Sequence, residues 1–284
     1  MVYLLFAAAI LCNTIQNLVV KKYSTNVAKT NMCMFSSFVS LAAMLFFVVS
    51  SGGKMTFEPA FLVYSVAFAV AYSMGMIGNS MAVECGPLAI STLINQCSLI
   101  IPTMYGIAIL KENLSVCGYI GIVLVFVCIV LICPTTKKAE KTKVSPKWFL
   151  YVAIGFAGNG LCATIQKMQQ LKFDGGYKNE FMIVALFIAA VITFVAGFNA
   201  KELKKDTIGA IKFAPVQGIA NGATNLLIMV LTALVPTAVL FPVVMIGATV
   251  ITFVVSVVFF REKFTVKQLC GYLIGVAALV LINI

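Results

Sequence analysis

The chain has 284 residues, 62% of them hydrophobic and only 10% charged, where a soluble domain has roughly half and a quarter. That composition excludes a soluble globular domain. The formal charge of +11 does not indicate nucleic acid, because the lysines lie in short loops between apolar runs and no basic face with stacking aromatics is present.

In chain order, ten apolar segments are long enough to cross a hydrocarbon layer of about 30 Å at ~1.5 Å per residue. They are predicted near 1–20, 32–51, 60–83, 87–110 and 115–133, and then near 149–169, 180–199, 208–232, 236–260 and 266–284. The first starts at Met1 without a basic leader and is expected to be a retained span, not a cleaved signal. The polar stretch 134–147, PTTKKAEKTKVSPK, joins the two groups of five.

The two groups are copies of one unit. LCNTIQ at Leu11–Gln16 recurs as LCATIQ at Leu161–Gln166, preceded in both places by Phe-Ala (Phe6-Ala7 and Phe156-Ala157). The same offset aligns Glu112 with Glu262, Val116 with Val266, Gly121 with Gly271, and Val130-Leu131-Ile132 with Val280-Leu281-Ile282. Five spans is an odd number, so the second copy enters the bilayer in the opposite orientation. The predicted fold is therefore an all-α integral membrane protein of ten transmembrane helices, built as two inverted five-helix repeats over 1–133 and 148–284. Loops after odd-numbered spans, with Lys267 at the very start of span 10 counted in, carry fourteen Lys and Arg, and those after even-numbered spans carry four. The positive-inside rule then places both termini outside.

Polar side chains inside the spans should face other helices or a cavity. Span 1 aligns Asn13, Gln16 and Asn17 on one face, and span 6 aligns Asn159, Gln166, Lys167 and Gln170. Span 8 carries Gln217, Asn221, Thr224 and Asn225; span 3 carries Tyr72, Met76 and Asn79; span 4 carries Ser91, Asn95, Ser98 and Pro102. For any one of these residues a helix-to-helix hydrogen bond is a sufficient explanation. Five such stripes together point to a polar cavity, with Asn13, Gln16, Asn17, Tyr72, Asn79, Ser91, Asn95, Asn159, Gln166, Gln217, Asn221, Thr224 and Asn225 as candidate substrate-binding residues. Span 9 offers Leu240, Val244 and Gly247 where span 4 has Ser91, Asn95 and Ser98, so the lining is expected to be asymmetric, which suits a specific substrate better than a symmetric pore.

No acid lies mid-span and there is no His, which argues against a central titrating proton carrier. Glu112 and Glu262 end spans 4 and 9 and are expected to anchor their turns, with Ser115 and Thr265 as N-caps and Thr265 with Gln268 as a capping box. Pro102 and Pro242 are expected to kink their spans. Gly218 with Gly222, and Gly271 with Gly275, are small-residue pairs that permit close helix approach. The nine cysteines fall in or beside apolar runs without a CxxC pair and are expected to be buried thiols. No catalytic constellation, metal cluster or cofactor motif appears, so an enzyme is not expected.

These residues resemble the drug/metabolite transporter superfamily in its ten-span EamA-like branch. The resemblance rests on the two five-span halves and the charged turn with Glu112 or Glu262. It also rests on Gly121 or Gly271 nine residues further on leading into VLI, and on Pro102 ten residues before Glu112. Span 9 departs from it, with Thr252 where the matching proline would be. The resemblance implies a central cavity lined by spans 1, 3, 4, 6, 8 and 9, alternating access, and movement, often outward, of amino acids, other metabolites, drugs or sugars. Members are usually drawn with both termini in the cytoplasm, opposite to what the lysine distribution indicates. Four-span relatives carry an essential Glu in the first span; here that face offers Asn13, Gln16 and Asn17, and their mechanism does not transfer.

The resulting expectation is a multi-pass permease of the cytoplasmic membrane for a small polar, amino-acid-like solute, acting as monomer or homodimer with the lipid bilayer as its other partner. The alternatives are a multidrug or lipid-linked-sugar carrier and a non-transport structural bundle.

Overall fold

A computed structural model describes residues 2–26, 31–85, 91, 94–95, 97–132, 146–199, 203–258 and 265–282. Arg261, Glu262, Pro87 and the linker over 134–145 lie outside the described residues. Among the described residues there are helices and short connections but no strand. The helices are α1 (Val2–Asn26), α2 (Met32–Ser50), α3 (Pro59–Cys85), α4 (Cys97–Ile109) and α5 (Val116–Ile132), followed by α6 (Pro146–Lys172), α7 (Lys178–Gly197), α8 (Leu203–Thr232), α9 (Thr237–Val258) and α10 (Val266–Ile282).

Six of them, α1, α2, α3, α6, α7 and α8, are long and apolar enough to cross a membrane, and they mark the chain as a multi-pass membrane protein. A helix suits this setting because it satisfies its own backbone where no water can. At 27 and 30 residues, α6 and α8 are about 40 and 45 Å long and extend beyond a hydrocarbon core of about 30 Å. The remaining four, α4, α5, α9 and α10, are shorter apolar helices. Val63, Val123, Phe187, Ile219 and Leu273 all project outward, a surface that would aggregate in water and costs nothing against acyl chains.

The buried side chains form two large cores. One gathers Phe6, Leu99, Val125, Ile129, Leu231, Leu240 and Ile246, from α1, α4, α5, α8 and α9, with Ala278 of α10. The other gathers Phe47, Phe68, Tyr72, Phe181, Leu186 and Met229, from α2, α3, α7 and α8. The most extensive helix pair is α3 with α6; α5 packs on α10, α2 on α7 and α8, and α1 on α8 and α9. The cysteines, expected to be buried thiols, are so only in part: among the described ones Cys33 and Cys128 are buried, Cys12, Cys97, Cys117 and Cys162 are half-buried, and Cys270 of α10 is exposed.

Contacts along these pairs give their directions. From Gln16–Ala220 to Tyr23–Phe213, residue numbers rise along α1 and fall along α8, so the two are antiparallel. Gly78–Gly155, Gly75–Asn159 and Phe68–Cys162 make α3 and α6 antiparallel too. Thr14 meets Ala248 and Asn17 meets Thr252, so α1 runs parallel to α9.

The caps follow the local sequence. Ser115 Oγ accepts from Gly118 N at 3.0 Å. Thr265 Oγ1 accepts from Gln268 N at 3.3 Å while Gln268 Oε1 accepts from Thr265 N at 3.0 Å, the reciprocal pair of a capping box. Replacing the cap, Thr265→Ala, is expected to cost about 1 kcal/mol, read from the melting temperature in detergent. Asn31 caps α2 through Met34 N at 3.0 Å and also donates to Gly197 O at 2.7 Å, tying the end of α7 to the start of α2.

The prolines behave differently from one another. Around Pro102, α4 changes from a 3-10 turn (Cys97–Leu99) to an α turn (Ile100–Met104) to a π turn (Tyr105–Ile109), the irregularity expected where a backbone donor is missing. Pro242 is accommodated within a single continuous helix, α9, and so is Pro215 within α8, which the span pattern did not flag.

Candidate functional site

Four of the candidate residues lie on α8, and their spacing of three and four residues places Gln217, Asn221, Thr224 and Asn225 on one face. That face meets α1 and α6. Gln16 Nε2 donates to Thr224 Oγ1 at 2.7 Å, and Gln16 Oε1 accepts from Asn221 Nδ2 at 3.0 Å. Asn225 Nδ2 donates to Asn221 Oδ1 at 3.1 Å, and Asn225 Oδ1 accepts from Gln166 Nε2 at 2.7 Å. One relay of amides thus runs Gln16–Asn221–Asn225–Gln166. Its two ends are the glutamines of the repeated LC-x-TIQ stretch, and both dock on the same helix. Gln166 and Thr224 are buried, while Gln16, Asn221 and Asn225 keep partial exposure. Gln217, one turn along the stripe, is buried with its Oε1 unpartnered.

A second polar group lies where α3 crosses α6. The backbones touch there because Gly75 and Gly78 oppose Gly158 and Gly155. Trp148 Nε1 donates to Ser91 Oγ at 2.9 Å and Asn95 Nδ2 donates to Ser91 O at 2.9 Å. The side-chain oxygens of Asn79 and Asn95 are both shielded from solvent and have no hydrogen-bond partner. Asn159 packs its Oδ1 against Gly75, where a Cβ would fall 2.6 Å from that oxygen. Only a glycine at position 75 leaves room for this amide.

The other predicted residues are dispersed. Tyr72 is buried in the second core, stacked on Phe68 with ring centroids 5.9 Å apart, and belongs to neither polar group. Asn17 is exposed and reaches Thr252 Oγ1 at 3.5 Å. Asn13 is half-buried and makes no side-chain hydrogen bond among the described residues. The thirteen candidates therefore form two separate groups with a few outliers.

Glu112 does something that its place at a span end did not indicate. It was expected to anchor its own turn. Instead its carboxylate accepts from Thr237 N at 2.8 Å and Ala238 N at 3.0 Å, and so caps α9. Lys167 Nζ stands 3.8 Å from the same carboxylate and donates to Thr232 O at 2.7 Å. Both side chains are almost fully enclosed, at 7% and 11% exposure for Lys167 and Glu112. Gly106 makes the room, since a Cβ there would lie 2.3 Å from Glu112 Oε2. Lys167 thus leaves the amide stripe of α6 and serves this clamp. A sequence signal existed: one lysine inside an apolar span needs a counter-charge, and Glu112 is one of few acids at a span end.

No family model and no curated protein matches the chain. Among solved structures 28 chains match. One, described as a crystal structure of a protein, is similar over 99% of this chain and 98% of its own, with a TM-score of 0.75 at 10% identity. That likeness concerns the fold alone.

Proposed function

We propose that the chain is a carrier of the drug/metabolite transporter kind, moving a small polar, neutral or zwitterionic solute of amino-acid type across the cell membrane by alternating access of two inverted five-helix halves. The observation that carries this reading is the amide relay, which starts in the first half at Gln16, ends in the second at Gln166, and is partly exposed at three of its members. The helix pairs support the inverted arrangement. Exchanging the halves turns α1 with α8 into α6 with α3, α2 with α8 into α7 with α3, and α1 with α9 into α6 with α4, while α2 with α7 and α5 with α10 map onto themselves. Polar groups near the junction of inverted halves are where such carriers hold their substrates.

Flux of radiolabelled solutes into proteoliposomes tests the reading; no movement across a broad metabolite panel sinks it. Asn221→Leu removes the middle of the relay and leaves Gln16 Oε1 without its Asn221 donor, at about 1–3 kcal/mol, while Asn225 Nδ2 keeps its bond to the backbone carbonyl of residue 221 at 2.9 Å. The variant is expected to lose the melting-temperature rise that a transported solute gives the wild type. Retention of the full rise would refute this placement of the site.

A second reading, a structural bundle without transport, is favoured by one observation: most amides of the relay bond to one another and need no ligand. In that case no solute in the panel moves or stabilises the protein.

A further inference from the structure

The Glu112–Lys167 contact belongs to one end of the molecule, and the two LC-x-TIQ stretches differ in how they are covered. At the offset that aligns LCNTIQ with LCATIQ, Asn17 stands where Lys167 does. A neutral amide cannot form the ion pair, so no twin of the clamp can be built on Asn17. The surroundings differ in the same sense. Gln166, Lys167, Gln169 and Gln170 are all buried. At the corresponding positions Gln16, Val19 and Val20 are half-buried and Asn17 is exposed. The same length of helix is enclosed on α6 and open on α1.

The clamp is built as a contact that can be made and broken. Glu112 follows α4, while all that it holds comes later in the chain: Lys167 of α6 and the N–H groups of Thr237 and Ala238 at the start of α9. Lys167 in turn holds the last turn of α8 through Thr232 O. A buried pair at 3.8 Å regains little beyond its desolvation cost, so it fixes an arrangement more than it adds stability. The chain leading to Glu112 is irregular. The π turn Tyr105–Ile109 is followed by Lys111 at φ 52°, in the left-handed region that a lysine seldom adopts. Such a segment keeps its shape through its contacts, here Glu112 N donating to Gly106 O at 3.0 Å and the clamp itself. Lys167 directly follows Gln166, the end of the amide relay, and the clamp therefore sits over that end.

We propose that the Glu112–Lys167 clamp is a one-sided gate, shut in this conformation, and that the relay is reached from the opposite end, where Asn17 replaces the lysine. The proposal rests on the transport reading and adds to it which end is closed and by which residues. To open that end, Lys167 must leave both Glu112 and Thr232 O, and the start of α9 must part from α4.

The test is thiol labelling of the purified full-length protein in detergent with a positively charged methanethiosulfonate. Two single substitutions, Asn17→Cys and Gln170→Cys, report on the two ends, and peptide mass spectrometry reads each introduced site apart from the native cysteines. With the clamp intact, Asn17→Cys is expected to react and Gln170→Cys to be protected. Adding Glu112→Gln with Lys167→Met removes both charges together and leaves neither buried alone. Labelling at position 170 should then speed up about tenfold while labelling at position 17 slows, because one conformation gains population from the other. Equal reactivity of the two sites with the clamp intact overturns the proposal. So does removal of the clamp that changes neither site, or that speeds both, as plain loosening would. If the double change does not fold, Glu112→Gln alone, which keeps an acceptor for α9, serves under the same criteria. Labelling needs no solute, so its failure counts against the gate alone, whereas absence of flux in proteoliposomes counts against the transport reading.

Discussion

Glu112→Ala is expected to destabilise the protein by about 3–5 kcal/mol, the range for breaking a buried ion pair by removing one partner. Two losses combine. The backbone N–H groups of Thr237 and Ala238 lose a charged acceptor at a helix start, where the helix dipole favours a negative group. Lys167 keeps its bond to Thr232 O but loses its counter-charge in an enclosed place. Glu112→Gln keeps an acceptor for the cap and should fall between wild type and Glu112→Ala. Adding Lys167→Met to Glu112→Ala should then cost less than the two single changes together, by at least about 1 kcal/mol. Strict additivity in denaturation of the four proteins would show that the pair is not coupled.

Gly158→Val is expected to cost about 3 kcal/mol, at the upper end for overpacking, and to lower the melting temperature by roughly 6–12 °C. A Cβ at this position would sit 2.3 Å from Gly75 N and 2.6 Å from Ala71 O. Both are backbone atoms, so no rotamer change relieves the clash and α3 must move away from α6. Gly118→Ala is the control. Its Cβ would come no nearer than 3.4 Å to any atom, and a change within about 0.5 kcal/mol is expected. Equal effects of the two substitutions would show that the close crossing is unimportant to stability.

The apolar runs revealed the helices, because a segment in hydrocarbon must bond its own backbone and its composition shows it. The caps at Ser115 and Thr265 were equally legible, since a cap is a contact over three residues. The candidate site was legible only in part. The stripe on α8 was visible as a spacing, but its partners were not, because Gln16 and Gln166 reach it across 205 and 59 residues of chain.

The amino-acid sequence by itself determined a helical membrane chain and the polar faces of its helices. These follow from local composition and from periods of three and four residues. Tertiary structure alone decided which polar groups satisfy one another. It joined Gln16 to Gln166 through α8, turned Glu112 from a turn residue into the cap of α9, and moved Lys167 from the amide stripe to that cap. It also left Asn79 and Asn95 facing each other across Gly155 with no donor. Such pairings depend on how closely helices approach and at what angle, which glycines at a crossing permit but do not specify.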